Sequence, residues 1–148
     1  MRRLAAMALC LILCGCGTKD DKLVGLEVRQ LSPAEQEALR RSLSQSLKEP
    51  EAAQFKWMPV LVGPSGRPTN YCGLINGKTG AGTFSGFRKF AAAIAQNSNG
   101  AFDHGVIQHV EGAPALFEAS AGIGDQSAAG NTVELCRSWG YVEFDQAK

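Results

Sequence analysis

Residues 71–90 read YCGLINGKTGAGTFSGFRKF, and this stretch restricts the fold more than any other. Five glycines (Gly73, Gly77, Gly80, Gly82 and Gly86) alternate with apolar and aromatic residues suited to a pleated sheet: Tyr71, Leu74, Ile75, Phe84, Phe87 and Phe90. Asn76-Gly77 is a favoured hairpin signal, because the turn needs positive φ. The pattern predicts a strand, a glycine-rich turn and a second strand, with the remainder of the chain packed around them.

The start of the chain speaks to location. Met1-Arg2-Arg3 is a positive n-region, and the apolar run at 4–13 falls short of the about 20 residues that a membrane-spanning helix needs. That profile is a secretory signal peptide. The run ends in Leu13-Cys14-Gly15-Cys16, which resembles a bacterial lipobox: Leu at −3, a small residue at −1 and Cys at +1. The resemblance implies a diacylglycerol on the Cys16 thiol, cleavage before it, and acylation of the new amino terminus. Ordinary secretion with Cys16 unmodified is the plainer alternative, and Cys14 is a poorer acceptor because Leu13 would stand at −1. Two or more acyl chains anchor a protein stably where one does not. Gly17, where an Asp marks inner-membrane retention in enteric bacteria, favours the outer membrane facing the periplasm. The expected division is a lipoprotein signal peptide over 1–15, a tether over 16–30 and a single α+β domain over 31–148.

Loss of the leader changes the charge. Of 15 basic residues Arg2 and Arg3 leave, so 13 face 14 acidic ones and the mature net charge is −1. A nucleic-acid binder is expected to carry a basic patch or a high pI, so nucleic acid is not an expected partner. Three of the five cysteines (Cys10, Cys14, Cys16) lie in the leader region, which leaves Cys72 and Cys136. In an oxidising compartment that pair reads most simply as one disulfide. The alternative is two free thiols or a catalytic cysteine.

Along the chain, residues 23–28 suit an edge strand. Ser32-Pro33-Ala34-Glu35 is a capping box, followed by Leu39, Leu43 and Leu47 as one apolar stripe opposite Arg40, Arg41, Gln45 and Lys48. This helix is expected to end near Glu49, before Pro50, and to pack on the sheet rather than on a partner or a membrane. One more helical turn is expected at 50–54. Residues 55–62 read as a strand with Phe55, Trp57, Val60 and Val62 inward and Pro59 marking an edge or bulge, and residues 63–68 form a turn cluster. After the apolar run 91–94 comes a surface loop at 96–100. A second hairpin is expected from 106–110 and 115–119 about residues 111–114, and a last helix over 127–139, with Gly140 as its C′ residue. Cys136 would then face Cys72 from the inner side of that helix.

A resemblance enters on Glu49-Pro50-Glu51-Ala52-Ala53-Gln54-Phe55, Tyr71-Cys72-Gly73-Leu74-Ile75-Asn76-Gly77-Lys78-Thr79-Gly80, Phe84-Ser85-Gly86-Phe87 and Phe90. These are similar to a pattern of small secreted or lipid-anchored bacterial proteins. There an acidic-Pro-x-Ser/Ala-Ala-x-Phe turn precedes a Cys-Gly-x-Val-Asn-x-Lys-Asn-x-x-Gly-Gly-Tyr-x-Gly-x-x-x-Phe hairpin, and a late Cys follows. This chain departs at Ile75 (for Val), Thr79 (for Asn) and residues 81–84. The resemblance implies a fold and a location, and no mechanism.

Candidate chemistry is sparse, and no cofactor is expected. Gly77-Lys78-Thr79 looks like the end of a phosphate loop, but position 72 is Cys where that motif needs Gly. His109 and Glu111 stand at strand spacing and would share a side, and a metal would then lie between them, whereas His104, an odd number of residues away, would face the other side of a continuous strand. Solvated residues are the simpler reading, and no metal ligands are assigned. Gly63-Pro64-Ser65-Gly66 has proline where a nucleophile elbow needs a strained turn. A dyad of Cys72 with His104 or His109 requires Cys136 to stay unpaired. Trp57, Tyr71, Phe84, Phe87 and Trp139 suit a ligand groove, though aromatics on strands are more often core. The expected function is therefore a membrane-anchored, non-catalytic binding or structural module, with an envelope protein, a cell-wall component or a small ligand as partner. Its candidate surface is the hairpin tip: Asn76, Lys78 and Thr79, with Arg88 and Lys89 nearby. The rivals are a cell-envelope hydrolase using Cys72 or His109/Glu111, and an accessory lipoprotein of a secretion system or of phage exclusion.

Overall fold

A computed structural model describes residues 26–63, 69–112 and 129–147. Cys16, the leader, most of the tether, the 63–68 turn (beyond Gly63) and the 115–119 strand lie outside the described residues. The architecture is α+β. Strands β2 (Gln54–Lys56), β4 (Thr69–Asn76), β5 (Arg88–Gln96) and β6 (Phe102–Val110) form an antiparallel sheet in the order β2-β4-β5-β6. Strands β1 (Glu27–Arg29) and β3 (Val60–Val62) make a separate two-stranded ribbon. Helix α1 (Pro33–Ser44) lies between β1 and β2 in the chain, and α2 (Ala129–Ser138) comes after β6.

The register of β4, β5 and β6 sorts the core onto two faces. One carries Tyr71, Gly73 and Ile75 with Ala92 and Phe90, and Gly105, Ile107 and Val110 beside them. This face receives α1: a Cβ on Gly105 would stand 2.8 Å from Leu43 Cδ2, so glycine there lets helix and sheet close up. Leu39 and Leu43 are fully buried, as the apolar stripe predicts. The other face carries Cys72, joined to Cys136 of α2 with the Cα atoms 5.9 Å apart. The expected disulfide is present, and it pins helix to sheet. Gly140 (φ 96°) closes α2: its amide donates to the Arg137 carbonyl (3.0 Å) and the Tyr141 amide to that of Cys136 (2.9 Å).

The capping box also holds, with an addition. The Ser32 amide donates to Glu35 Oε2 (2.8 Å) and the Glu35 amide to Ser32 Oγ (3.3 Å). Glu35 further accepts two bonds from the Arg29 guanidinium (2.9 and 2.6 Å) and one from the Phe102 amide (3.0 Å). Its side chain is only 5% exposed. Bonding to Arg29 and to those amides outweighs burial and holds its carboxyl at about 2.

Several expectations are corrected. Helix α1 ends at Ser44, one turn before Glu49, and Leu47 reaches the core from the following loop. The strand expected over 55–62 is two strands in different sheets, because the chain turns at Pro59 to leave the β4 edge for β1. The strand at 27–29 is part of the folded body, so the tether cannot extend to residue 30. Strand β6 is nine residues long and pairs with β5.

Strand β6 also has two bulges. Ala91 opposes His109 while Ala92 opposes Ile107, leaving Gln108 over; Ala95 opposes His104 while Gln96 opposes Phe102, leaving Asp103 over. The extra residue at Gln108 reverses the parity between His104 and His109. Both therefore stand on the face away from α1, contrary to the expectation for a continuous strand.

Replacing Cys72 and Cys136 together by alanine is expected to lower the unfolding free energy by about 4 kcal/mol in the chain-entropy view, read by urea denaturation. The depressed Glu35 pKa has a definite sign. Its stabilisation is fully present above the unfolded value near 4.5 and is lost as pH falls towards 2. Wild type is expected to lose on the order of 3 kcal/mol over that window through this group. The Glu35→Gln variant, compared at pH 6 and pH 2.5, is expected to start less stable and to show a correspondingly flatter acid limb.

Candidate functional site

The β4–β5 ladder stops at the pair Ile75–Arg88. Residues 77–87 leave it and fold on themselves: Lys78 bridges Phe84, and Thr79 N bonds Thr83 O (2.8 Å). Gly82 N bonds Thr79 O (2.8 Å) and Ser85 N bonds Gly77 O (3.0 Å). Gly82 and Gly86 both have φ of 76°, a region that side chains with a Cβ enter only under strain. The positive-φ positions are thus late in the loop, and Asn76-Gly77 is not the turn. The second strand begins at Arg88 instead of within 83–87.

This geometry separates three phenylalanines spaced three residues apart. Phe90 is on the ladder and fully buried, edge-on to Phe55 at 5.7 Å and tilted to Tyr71 at 6.1 Å. Phe84 and Phe87 lie before the ladder starts, with no strand face beneath them, and are 47% and 41% exposed. Each has an ammonium over its ring: Lys78 Nζ is 5.9 Å from the Phe84 centroid, and Lys56 Nζ is 5.0 Å from that of Phe87. Lys48 Nζ is 3.5 Å from where a Cβ on Gly80 would be.

The five residues expected at the tip fare differently. Arg88 is exposed, with no acidic partner among the described residues. Lys78 is held by Glu49 Oε2 at 3.3 Å. Asn76 Nδ2 donates to Gln54 Oε1 (3.0 Å), and the Thr79 and Thr83 hydroxyls are 3.2 Å apart, so both are tied within the protein. Lys89 is half-buried over the Phe144 ring at 5.2 Å, and its amide faces Glu111 Oε2 at 3.5 Å. Sequence reasoning gave Phe84 and Phe87 as rings suited to a ligand groove, with core as the commoner reading, and assigned Lys56 and Lys48 no part in a site. The available signal was Gly86 between two aromatics, since a glycine at positive φ ends the strand pattern that would have buried both.

The other candidates are dispersed. Cys72 is fully buried and its sulfur is bonded to Cys136, so it offers no thiol to His104 or His109. Among the described residues no group of three His, Cys, Asp or Glu side chains is placed to hold a metal. Trp57 and Tyr71 are core: the Tyr71 hydroxyl accepts from the Met58 amide (2.8 Å) and donates to its carbonyl (2.9 Å). Burial pushes the Tyr71 and Tyr141 phenols up. An apolar cleft of about 200 Å³ lies beside β1 and β3, where Val28 and Val142 flank Met58, Pro59 and Leu61.

Comparison of the chain with protein-family models, with curated proteins and with solved structures finds no significant match. The resemblance drawn from residues 49–55 and 71–90 accordingly rests on those residues alone.

Removing the Phe84 or Phe87 ring is expected to change stability by no more than about 0.5 kcal/mol, as for other surface positions. Phe90→Ala is expected to cost about 3–5 kcal/mol. Thermal unfolding of the three alanine variants distinguishes the surface rings from the core one.

Proposed function

We propose that the protein is a lipid-anchored envelope module, held at the outer membrane through Cys16, that binds a periplasmic partner and performs no catalysis. The observation that carries this reading is the polarity of the fold. The Tyr141 hydroxyl accepts from the Leu61 amide (3.4 Å) and donates to the Asn70 carbonyl (3.5 Å), which sets β3, and β1 paired with it, beside the Asn70 end of β4. The chain therefore comes from Cys16 into the domain at that end. Loop 77–87 leaves β4 after Asn76, at the other end, roughly 20 Å away at about 3.3 Å per strand residue.

The anchored end and the aromatic–cationic loop are thus opposite poles. Nine residues, 17–25, separate Cys16 from Leu26, and the ten Cα–Cα steps between them are enough to hold the domain up to ~35 Å from the lipid. A non-catalytic role is supported by the disulfide at Cys72, which occupies the most plausible nucleophile, and by the outward, separate placement of the two histidines.

In cells, Cys16→Ala is expected to move the protein from the membrane to the soluble fraction. Mass spectrometry of the mature wild-type N-terminal peptide is expected to show Cys16 carrying diacylglycerol and an amide-linked acyl chain. A wild-type protein that is soluble, with Cys16 unmodified, would sink the proposal.

A further inference from the structure

We infer that the pole formed by Phe84, Phe87, Lys56, Lys78 and Arg88 is a binding site for a glycan strand that carries carboxylates. The inference deepens the reading of the protein as an anchored binding module and rests on it.

Two features together define the ligand. Phe84 and Phe87 are held out in water by a loop whose glycines and backbone bonds keep them off the sheet. A pyranose ring offers a face of polarised C–H groups, which the negative face of an aromatic ring attracts. Two such rings stand three residues apart on one short loop, each with exposed surface to offer a sugar. The second feature is charge. Glu49 neutralises Lys78, but Lys56, Lys48 and Arg88 have no acidic partner among the described residues. Lys56 lies over the Phe87 ring, but a neutral glycan would leave all three charges without a counter-charge, whereas a carboxylate on the strand gains charge-assisted hydrogen bonds from them. An acidic peptide would use the cations and leave the rings idle.

Exposed phenylalanines among cations also suit an anionic bilayer. The fold argues against that occupant, because this loop is at the end of β4 away from the one where the chain comes from Cys16. On the proposed anchoring the loop faces away from the lipid, and a carboxylated glycan is a ligand whose chemistry matches both rings and charges.

The test uses full-length lipoprotein in detergent micelles, titrated with hyaluronate oligosaccharides as the carboxylated glycan. The comparison probes are neutral chito-oligosaccharides, poly-glutamate, and vesicles of equimolar phosphatidylcholine and phosphatidylglycerol. Hyaluronate is expected to bind most tightly, with an affinity that falls as salt rises. The Phe84→Ala/Phe87→Ala double variant is expected to lose roughly tenfold in affinity, from two lost ring contacts. Arg88→Glu is expected to weaken binding and flatten the salt dependence, and Val142→Ala, at the opposite pole, to change nothing. All variants are checked for unchanged thermal unfolding.

Absence of hyaluronate binding overturns the inference, as does equal affinity for poly-glutamate or the vesicles, or full affinity in the double variant. The anchor is tested separately. Hyaluronate binding by a wild type found soluble would leave the glycan site standing and remove the lipid anchor. A correctly lipidated protein that ignores hyaluronate would do the reverse.

Discussion

The ionised side chain of Glu35 ties together parts of the protein that are far apart in sequence. A carboxylate out of water is tolerable only when its lone pairs are filled and its charge is matched. Arg29 supplies the charge and two bonds, Ser32 supplies an amide at the helix start, and Phe102 supplies one from the first residue of β6. The same arginine lies over the Phe102 ring at 5.3 Å. Together these contacts fix β1, the N-terminus of α1 and the start of β6 at a common point. The direction in which α1 crosses the sheet, and hence the seating of Leu43 on Gly105, follows from that point.

What the chain announces of this arrangement is the part closed within a few residues. Ser32 and Glu35 are three apart, so the capping box is readable; the Phe102 amide is 67 residues from Glu35 and carries no local mark. The cap at Gly140 was readable for the same reason, since it depends on a single glycine, whereas the Cys72–Cys136 bond spans 64 residues and was readable only because one pair was left to join. Bulges are harder, because Asp103 and Gln108 look like ordinary strand residues until β5 is laid beside them.

At the loop, the polar side chains expected to form the surface and the aromatic rings that the structure exposes are different residues. Sequence reasoning chose polar side chains at the tip, and the structure ties Asn76 and Thr79 to neighbours. It placed Phe84 and Phe87 with Phe90 because all three share an apolar character. Whether a ladder runs beneath a residue is a matter of register, and register stops at Arg88. An apolar residue beyond the last rung is a surface residue whatever its hydropathy. The proposed site turns on that distinction, since Phe84 and Phe87 are the rings left exposed.

The margins of the four-stranded sheet have a consequence for crowding. Among the described strands, one margin is β2, only three residues long, and the other is β6, kinked twice by its spare residues. Short rims and bent rims are poor templates for a foreign strand. Molecules confined to a lipid sheet meet their own kind far more often than freely diffusing ones do, and always with similar tilt. In a population anchored as proposed, borders of this kind would give close neighbours little to knit onto.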